Sequence, residues 1–208
     1  MSGDFIPKQY SCGLCSKQFS SYVVKKTQQP VVKTDTDFCM HYARETPYFY
    51  HVFVCPACGY AFMESFKKKP FEKMREKITP LPDFFSEKRD PATAQLAYKR
   101  ATECALLQRE DEMIMASLYL QMSWIMRVKG DKVGEMEAQR KALASYTGVY
   151  ENSQLQDASK VMYLIGELNR RLGNRAEAVN WYSRVANDKK CNQAMRTMAR
   201  DGWQSLRE

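Results

Sequence analysis

Two cysteine pairs are the residues best placed to do chemistry: Cys12 and Cys15 in "YSCGLCSKQF", and Cys55 and Cys58 in "HVFVCPACGYAF". The two-residue gap of a C-x-x-C knuckle lets both sulfurs reach one metal from one turn. Two knuckles supply four thiolates in a tetrahedron, at about 2.3 Å from zinc. Zinc has no redox chemistry and imposes no geometry of its own. A closed set of four thiolates therefore predicts a structural Zn2+ site rather than a catalytic one with an open position. A small sheet buries little core and needs such a staple. The 39 residues between the pairs exceed the usual ribbon spacing and leave room for a hairpin and a loop.

Other readings of the same thiols differ in their support. "CPACGY" resembles a rubredoxin knuckle, which would make the site an iron tetra-thiolate carrying electrons. "CGLCSKQF" lacks the glycine after its second cysteine, which argues against iron. A C-x-x-C redox pair would need a surrounding βαβ pattern, and none is readable. Cys39 and His41 in "DTDFCMHY" are possible substitutes for one of the four ligands. The plainer reading is a buried small thiol and a surface histidine. His51 lies inside an aromatic run and reads as packed and hydrogen-bonded. Cys104 and Cys191 read as core thiols. Asp35 and Asp37 would share one face of a strand as paired carboxylates, or serve in a turn or cap. With two histidines in the chain and no glycine-rich phosphate loop, an enzyme is not the expected reading.

The elements that must hold these residues fall into two parts. Five of the seven cysteines and six of the eight prolines precede residue 81, and no proline follows Pro91. That predicts a zinc-ribbon domain over 1–80, a linker over 81–90 and a helical domain over 91–208. In the first part "FSSYVVKK" and "PVVKT" are expected to form a hairpin around "TQQP". "YFYHVFVC" reads as the central strand, and "PFEKMREKI" as a short helix with Pro70 at its first turn. In the second part six helices are expected, near 91–108, 112–129, 131–150, 155–172, 175–188 and 190–206. Gly130 and Gly173 are placed to end two of them, with Asp131 and Asn174 as the following N-caps. "DEMIMASLYLQMSWIMRVKG" is apolar nearly all round and should be the most buried helix.

The chain carries a net charge of +8 in 208 residues. Residues 1–80 hold 12 Lys and Arg against 7 Asp and Glu. The only tight basic run is Lys67–Lys69, a solvated face or a weak nucleic-acid footprint. No secretory signal or transmembrane run is readable, so a cytoplasmic location is expected. Seven cysteines there favour metal over disulfides.

"YLIGELNRRLGNRAEAVNWYSRVA" looks like a tetratricopeptide repeat. Gly166 is its small residue, Gly173-Asn174 its turn, and Ala178 and Tyr182 pack from its second helix. "YLQMSWIMRVKGDKVGEMEAQRKAL" is a degenerate copy with Ser123 as the small residue and Glu135 where alanine is usual. The two turns lie 43 residues apart rather than about 34. The excess falls near "SYTGVYENSQLQ".

Together "YSCGLCSKQF", "DTDFCMHY", "PYFYHVFVCPACGYAF" and "SLYLQMSWIMRVKGD" resemble the bacterial proteins grouped as domain of unknown function 2225. The resemblance implies a metal-binding ribbon followed by tetratricopeptide-like helices in cytoplasmic proteins. It implies no reaction. The expected fold is α+β. The expected function is a zinc-binding adaptor that holds a protein or peptide on its helices. The alternative is a nucleic-acid-binding or regulatory ribbon protein, with a rubredoxin-like electron carrier third.

Overall fold

The structure is a computed structural model that describes residues 4–25, 27, 29–81 and 88–207. Most of the expected linker, residues 82–87, lies outside the described residues, as do two residues around the expected "TQQP" turn. Among the described residues, three antiparallel strand pairs precede six helices, a mixed α+β chain with a helical C-terminal region.

β1 (Phe5–Ser11) pairs with β2 (Gln18–Val24) from Phe5 opposite Val24 to Ser11 opposite Gln18. β3 (Val31–Thr34) pairs with β4 (Met40–Tyr42), and β5 (Phe53–Val54) with β6 (Ala61–Phe62). The expected hairpin between "FSSYVVKK" and "PVVKT" is therefore not formed, because each strand has another partner. β1, "FIPKQYS", is mostly exposed and shows no apolar alternation. The Cys12–Lys17 turn brings it onto β2, since any tight turn forces its flanks antiparallel.

"YFYHVFVC" is not one strand either. Pro47–Tyr50 forms a 3-10 helix, and only Phe53–Val54 is extended and paired. Pro47 presets a helical φ at the start of the turn. Tyr48, Phe49 and Tyr50 are all buried, so apolar walls meet three successive directions and alternation loses its meaning. "PFEKMREKI" makes one 3-10 turn, Glu72–Glu76, entered from an extended Phe71, with Pro70 outside it. Met74 is its one buried residue, too little apolar surface to sustain a longer helix.

The helices are α1 (Pro91–Gln108), α2 (Glu112–Lys129), α3 (Lys132–Asn152), α4 (Ser159–Arg171), α5 (Arg175–Asn187) and α6 (Gln193–Ser205). Asp90 caps α1 by accepting from the Thr93 amide at 2.7 Å, with Pro91 in the first turn. Gly130 and Gly173 close α2 and α4 at φ +79° and +82°, the left-handed region that glycine enters without strain. Asp131 caps α3 by accepting from the Gly134 amide at 2.8 Å. Asn174 makes no cap bond; its amide group donates to Asn169 Oδ1 instead. The long spacing between the two glycines has two sources: α3 runs for 21 residues, and residues 153–158 are not helical.

Each helix packs on the next in sequence, and α6 also packs on α4. Two apolar clusters result. The first joins Leu14, Phe19, Tyr48, Val52 and Tyr60 to the Ala94, Ala97, Ala101 and Ala105 face of α1 and to Leu118 and Ile125 of α2. The second lies among α2 to α6, around Leu120, Tyr146, Ile165, Leu168, Trp181 and Tyr182. α2 is the wall between them, as its nearly all-round apolar sequence requires. α4 is buried at least as completely, at ten of its 13 residues.

Candidate metal centre

The first knuckle sits in the turn between β1 and β2, the second in the turn between β5 and β6. Their backbones match residue for residue. The Cys12 carbonyl accepts from the Ser16 amide at 2.9 Å, and the Cys55 carbonyl from the Gly59 amide at 2.8 Å. The Cys12 amide donates to the Lys17 carbonyl, and the Cys55 amide to the Tyr60 carbonyl. The fourth residue after each leading cysteine is left-handed, Ser16 at φ +62° and Gly59 at φ +76°. The missing glycine of the first knuckle thus does not alter its shape: serine takes the conformation at a steric cost.

All four sulfurs lie within 4.8 Å of one another. Cys12 and Cys58 are 3.6 Å apart, as are Cys15 and Cys55. Thiolates at zinc's bond length in a tetrahedron would be about 3.8 Å apart, so the spacing fits one metal ion. The donor chemistry fits as well. Burial pushes the Cys12 thiol up to about 11 and raises Cys58 further. Cys15 is lowered: burial opposes this, but the Lys17 amide and the neighbouring thiols outweigh it. A divalent ion among the four sulfurs would favour their thiolate forms and take the place of their protons.

The helices and the segment after β6 hold the knuckles from outside. Arg75 donates to the Leu14 carbonyl inside the first knuckle at 2.8 Å through Nη2. A Cβ on Gly13 would lie 3.1 Å from Pro70, so that segment is pressed onto the turn. Arg100 of α1 donates to the Thr79 carbonyl at 2.5 Å and reaches the Gly59 carbonyl at 3.4 Å. Gly59 also has the Thr79 carbonyl where a Cβ would sit. The small-residue face of α1 lets β6 approach until the Ala61 amide lies 3.4 Å from Cys104 Sγ. Tyr60 donates to Gln108 at 2.8 Å. Buried Arg89 donates to the Phe49 and Val52 carbonyls at 3.1 and 2.7 Å, fixing the aromatic 3-10 helix. Tyr98 of α1 donates to the Tyr48 carbonyl at 2.8 Å.

The remaining residues singled out by sequence have other surroundings. His51 is hydrogen-bonded to Gln121 at 2.8 Å. Cys104 and Cys191 are buried. Cys39 is fully buried, 3.8 Å from the Tyr48 hydroxyl, and burial lifts its thiol to about 11. His41 contacts Asp35 at 2.7 Å, and neither Cys39 nor His41 joins the four-cysteine group. Lys67 and Lys68 both pair with Asp111, and their backbone amides donate to Glu110.

Asp35 and Asp37 follow β3 rather than lying on it, and they anchor a network the sequence did not disclose. Arg127 of α2 donates to Asp35 at 2.8 Å, to both oxygens of fully buried Asp37 at 3.1 and 2.5 Å, and to Glu135 at 2.7 Å. Arg171 of α4 adds contacts to Asp37 and Glu167. Glu167 is held below the usual carboxylate range: burial opposes this, but bonds from Arg170, Thr36 and Tyr182 prevail. The one available signal was a lone arginine near the end of an otherwise apolar helix.

A four-cysteine cluster at metal-binding distance, set on strand pairs that pack against a helical C-terminal region, defines the class of molecule. The chain belongs to the family described as "Uncharacterized protein conserved in bacteria (DUF2225)", whose model matches residues 5–206. Comparison with curated proteins and with solved structures finds no match. No helix among the described residues is long and apolar enough to cross a membrane.

Proposed function

We propose that the chain is a cytoplasmic, zinc-stapled adaptor rather than an enzyme. One Zn2+ held by Cys12, Cys15, Cys55 and Cys58 shapes the ribbon. The ribbon braces α1 and α2, and the tetratricopeptide-like helices hold a protein or peptide partner. The observation that carries this reading is the closed set of four sulfurs within 4.8 Å. Four protein ligands fill a tetrahedron and leave no coordination position for a substrate.

The groove over α2, between α1 and α3, supports the partner reading. It encloses about 540 Å³, with Met122 and Met126 at its floor and Leu106 and Val133 at its edges. Leu106 is 58% exposed and Val133 79%. Lys99, Glu103, Glu137 and Lys141 form a charged rim. An amphipathic segment would set apolar anchors between such edges and place its charges on the rim.

Elemental analysis of the purified protein tests the metal, expecting zinc in the four-cysteine set. Iron is a second reading with an observation in its favour, since the first knuckle has the backbone shape of the second without the glycine. A coloured protein would select it. Crosslinking in the native cell, compared between wild type and Leu106→Lys/Val133→Lys, tests the partner. A specific product lost in the variant supports the groove. A salt-sensitive shift of RNA or DNA by both proteins, without that product, would select the nucleic-acid alternative.

A further inference from the structure

A second group of ligand-type side chains converges in the β3–β4 hairpin. Asp35, Cys39 and His41 each bring one donor atom within 4.8 Å of the other two. The turn between the strands is what gathers them. The Asp35 amide donates to the Cys39 carbonyl at 2.8 Å, and the Phe38 amide to the Asp35 carbonyl at 2.9 Å. Phe38 turns left-handed at φ +66°, a conformation that costs a bulky side chain energy. Its ring is held in place against Tyr163. Asp35 therefore directly follows β3 and Cys39 directly precedes β4, and His41 comes two residues later on the same face.

The three side chains are graded in access. Cys39 is fully buried. The Asp35 side chain is 10% exposed and that of His41 32%. The approach from solvent is thus over His41, with the thiol at the bottom. A nucleophile–base–carboxylate reading of the same trio fails on this point, because no substrate reaches a fully buried sulfur. A metal ion needs only the space among the three donor atoms, with the imidazole on its solvent side.

We propose that Asp35, Cys39 and His41 form a second metal site, separate from the four-cysteine centre, for Zn2+ or Co2+. A thiolate, an imidazole and a carboxylate are a donor set suited to either ion. With three protein ligands, the fourth position opens on the His41 side, where water or an exchangeable ligand coordinates. Binding releases the Cys39 proton and takes His41 neutral. It also replaces the 2.7 Å bond between His41 and Asp35 Oδ2.

The surroundings supply the supporting bonds. Asp35 Oδ1 meets Lys33, whose side chain is 68% exposed and swings away at little cost. Asp35 Oδ2 keeps its bond from Arg127, which orients the carboxylate as outer partners of metal ligands do. Arg127 is a cation close to the site, but Asp37 and Glu135 both bond to it. Their two charges screen the incoming ion from the guanidinium.

Titrating Co2+ into the zinc-loaded full-length protein tests the site while Zn2+ holds the four cysteines. A thiolate-to-cobalt charge-transfer band should appear, with an intensity corresponding to one sulfur. His41→Ala, at a half-exposed position, should weaken this binding at least about a hundredfold, beyond the loss expected of an outer-shell partner. Its zinc at the four-cysteine centre should be unchanged. Cys39→Ser should remove the charge-transfer band. Absence of a band in the wild type, or a band unaltered by His41→Ala, would overturn the proposal. If the four-cysteine centre instead takes up the cobalt, the band will have several-thiolate intensity and will survive His41→Ala, which counts against this site alone.

Discussion

Among the described residues, 5–62 contain six strands, the longest of seven residues and two of the three pairs much shorter, whereas 91–205 contain six helices of 13 to 21 residues. The helices satisfy their backbone internally, and their glycine and aspartate caps are set by neighbouring residues. The strands cannot do the same. A two-residue pair such as β5–β6 is held by what surrounds it: the knuckle it closes, the α1 alanine face beneath it, and arginines reaching in from elsewhere. Isolated two-stranded hairpins are marginal in water. One half is thus built from local interactions and the other from long-range ones. The two kinds of element share a core, because the first apolar cluster runs from the strands through α1 into α2.

The largest expected effect is loss of a knuckle ligand. Cys58→Ser should abolish metal retention by the four-cysteine centre. Structural zinc contributes on the order of 10 kcal/mol. Near-ultraviolet circular dichroism should show lost aromatic packing from Tyr48, Tyr60 and Phe53, with most helical signal kept. Full helical loss in the same variant would mean that the helices have no independent stability.

Arg127→Met attacks the ionic bridge between the halves. It leaves fully buried Asp37 with Arg171 at 3.4 Å as its remaining ion-pair contact. Removing one member of a buried pair typically costs about 3–5 kcal/mol. Urea denaturation should show a loss of that size, and the Arg127→Met/Asp37→Leu double variant should recover part of it. A loss below about 1 kcal/mol would place the bridge in the class of surface pairs.

Gly166→Ala addresses the helical half alone. Its Cβ would lie 2.9 Å from the Tyr182 ring, which is also pressed by Gly202 of α6. Overpacking of this kind costs about 1–3 kcal/mol. The prediction is a lower melting temperature with unchanged zinc affinity. The smallest effect should come from Ser16→Gly, which relieves a left-handed serine in the first knuckle. A gain of up to about 1 kcal/mol is expected in zinc-bound stability measured by denaturation. A clear loss would show that the Ser16 side chain contributes more than its backbone.

The contrast also accounts for what could be read from sequence. Gly130, Asp131 and Gly173 mark helix ends by conformational preference alone, so the helices were placed within a few residues. The clustering of the four cysteines is legible because a two-residue gap brings both sulfurs of a pair to one turn. The strand pairing was not. "YFYHVFVC" is apolar on both faces, and period-two alternation carries no information when every direction is buried. β1 offered the opposite problem, a polar and proline-bearing segment that becomes a strand because the Cys12 turn returns the chain upon it. A knuckle is a hairpin turn, and that is the signal β1 carries. Asp35 and Asp37 pair by their spacing, but Arg127 lies some 90 residues away and is joined to them only by tertiary packing.

Hydrogen exchange of the zinc-loaded protein, with and without a chelator, tests most directly whether metal, ribbon and first helices form one unit. The account predicts that chelation removes protection from residues 4–81 and lowers it in α1 and the Leu118–Ile125 face of α2, while α4, α5 and α6 keep theirs. Protection lost in residues 4–81 alone, with α1 unchanged, would contradict the shared core, and unchanged protection throughout would contradict the metal staple itself.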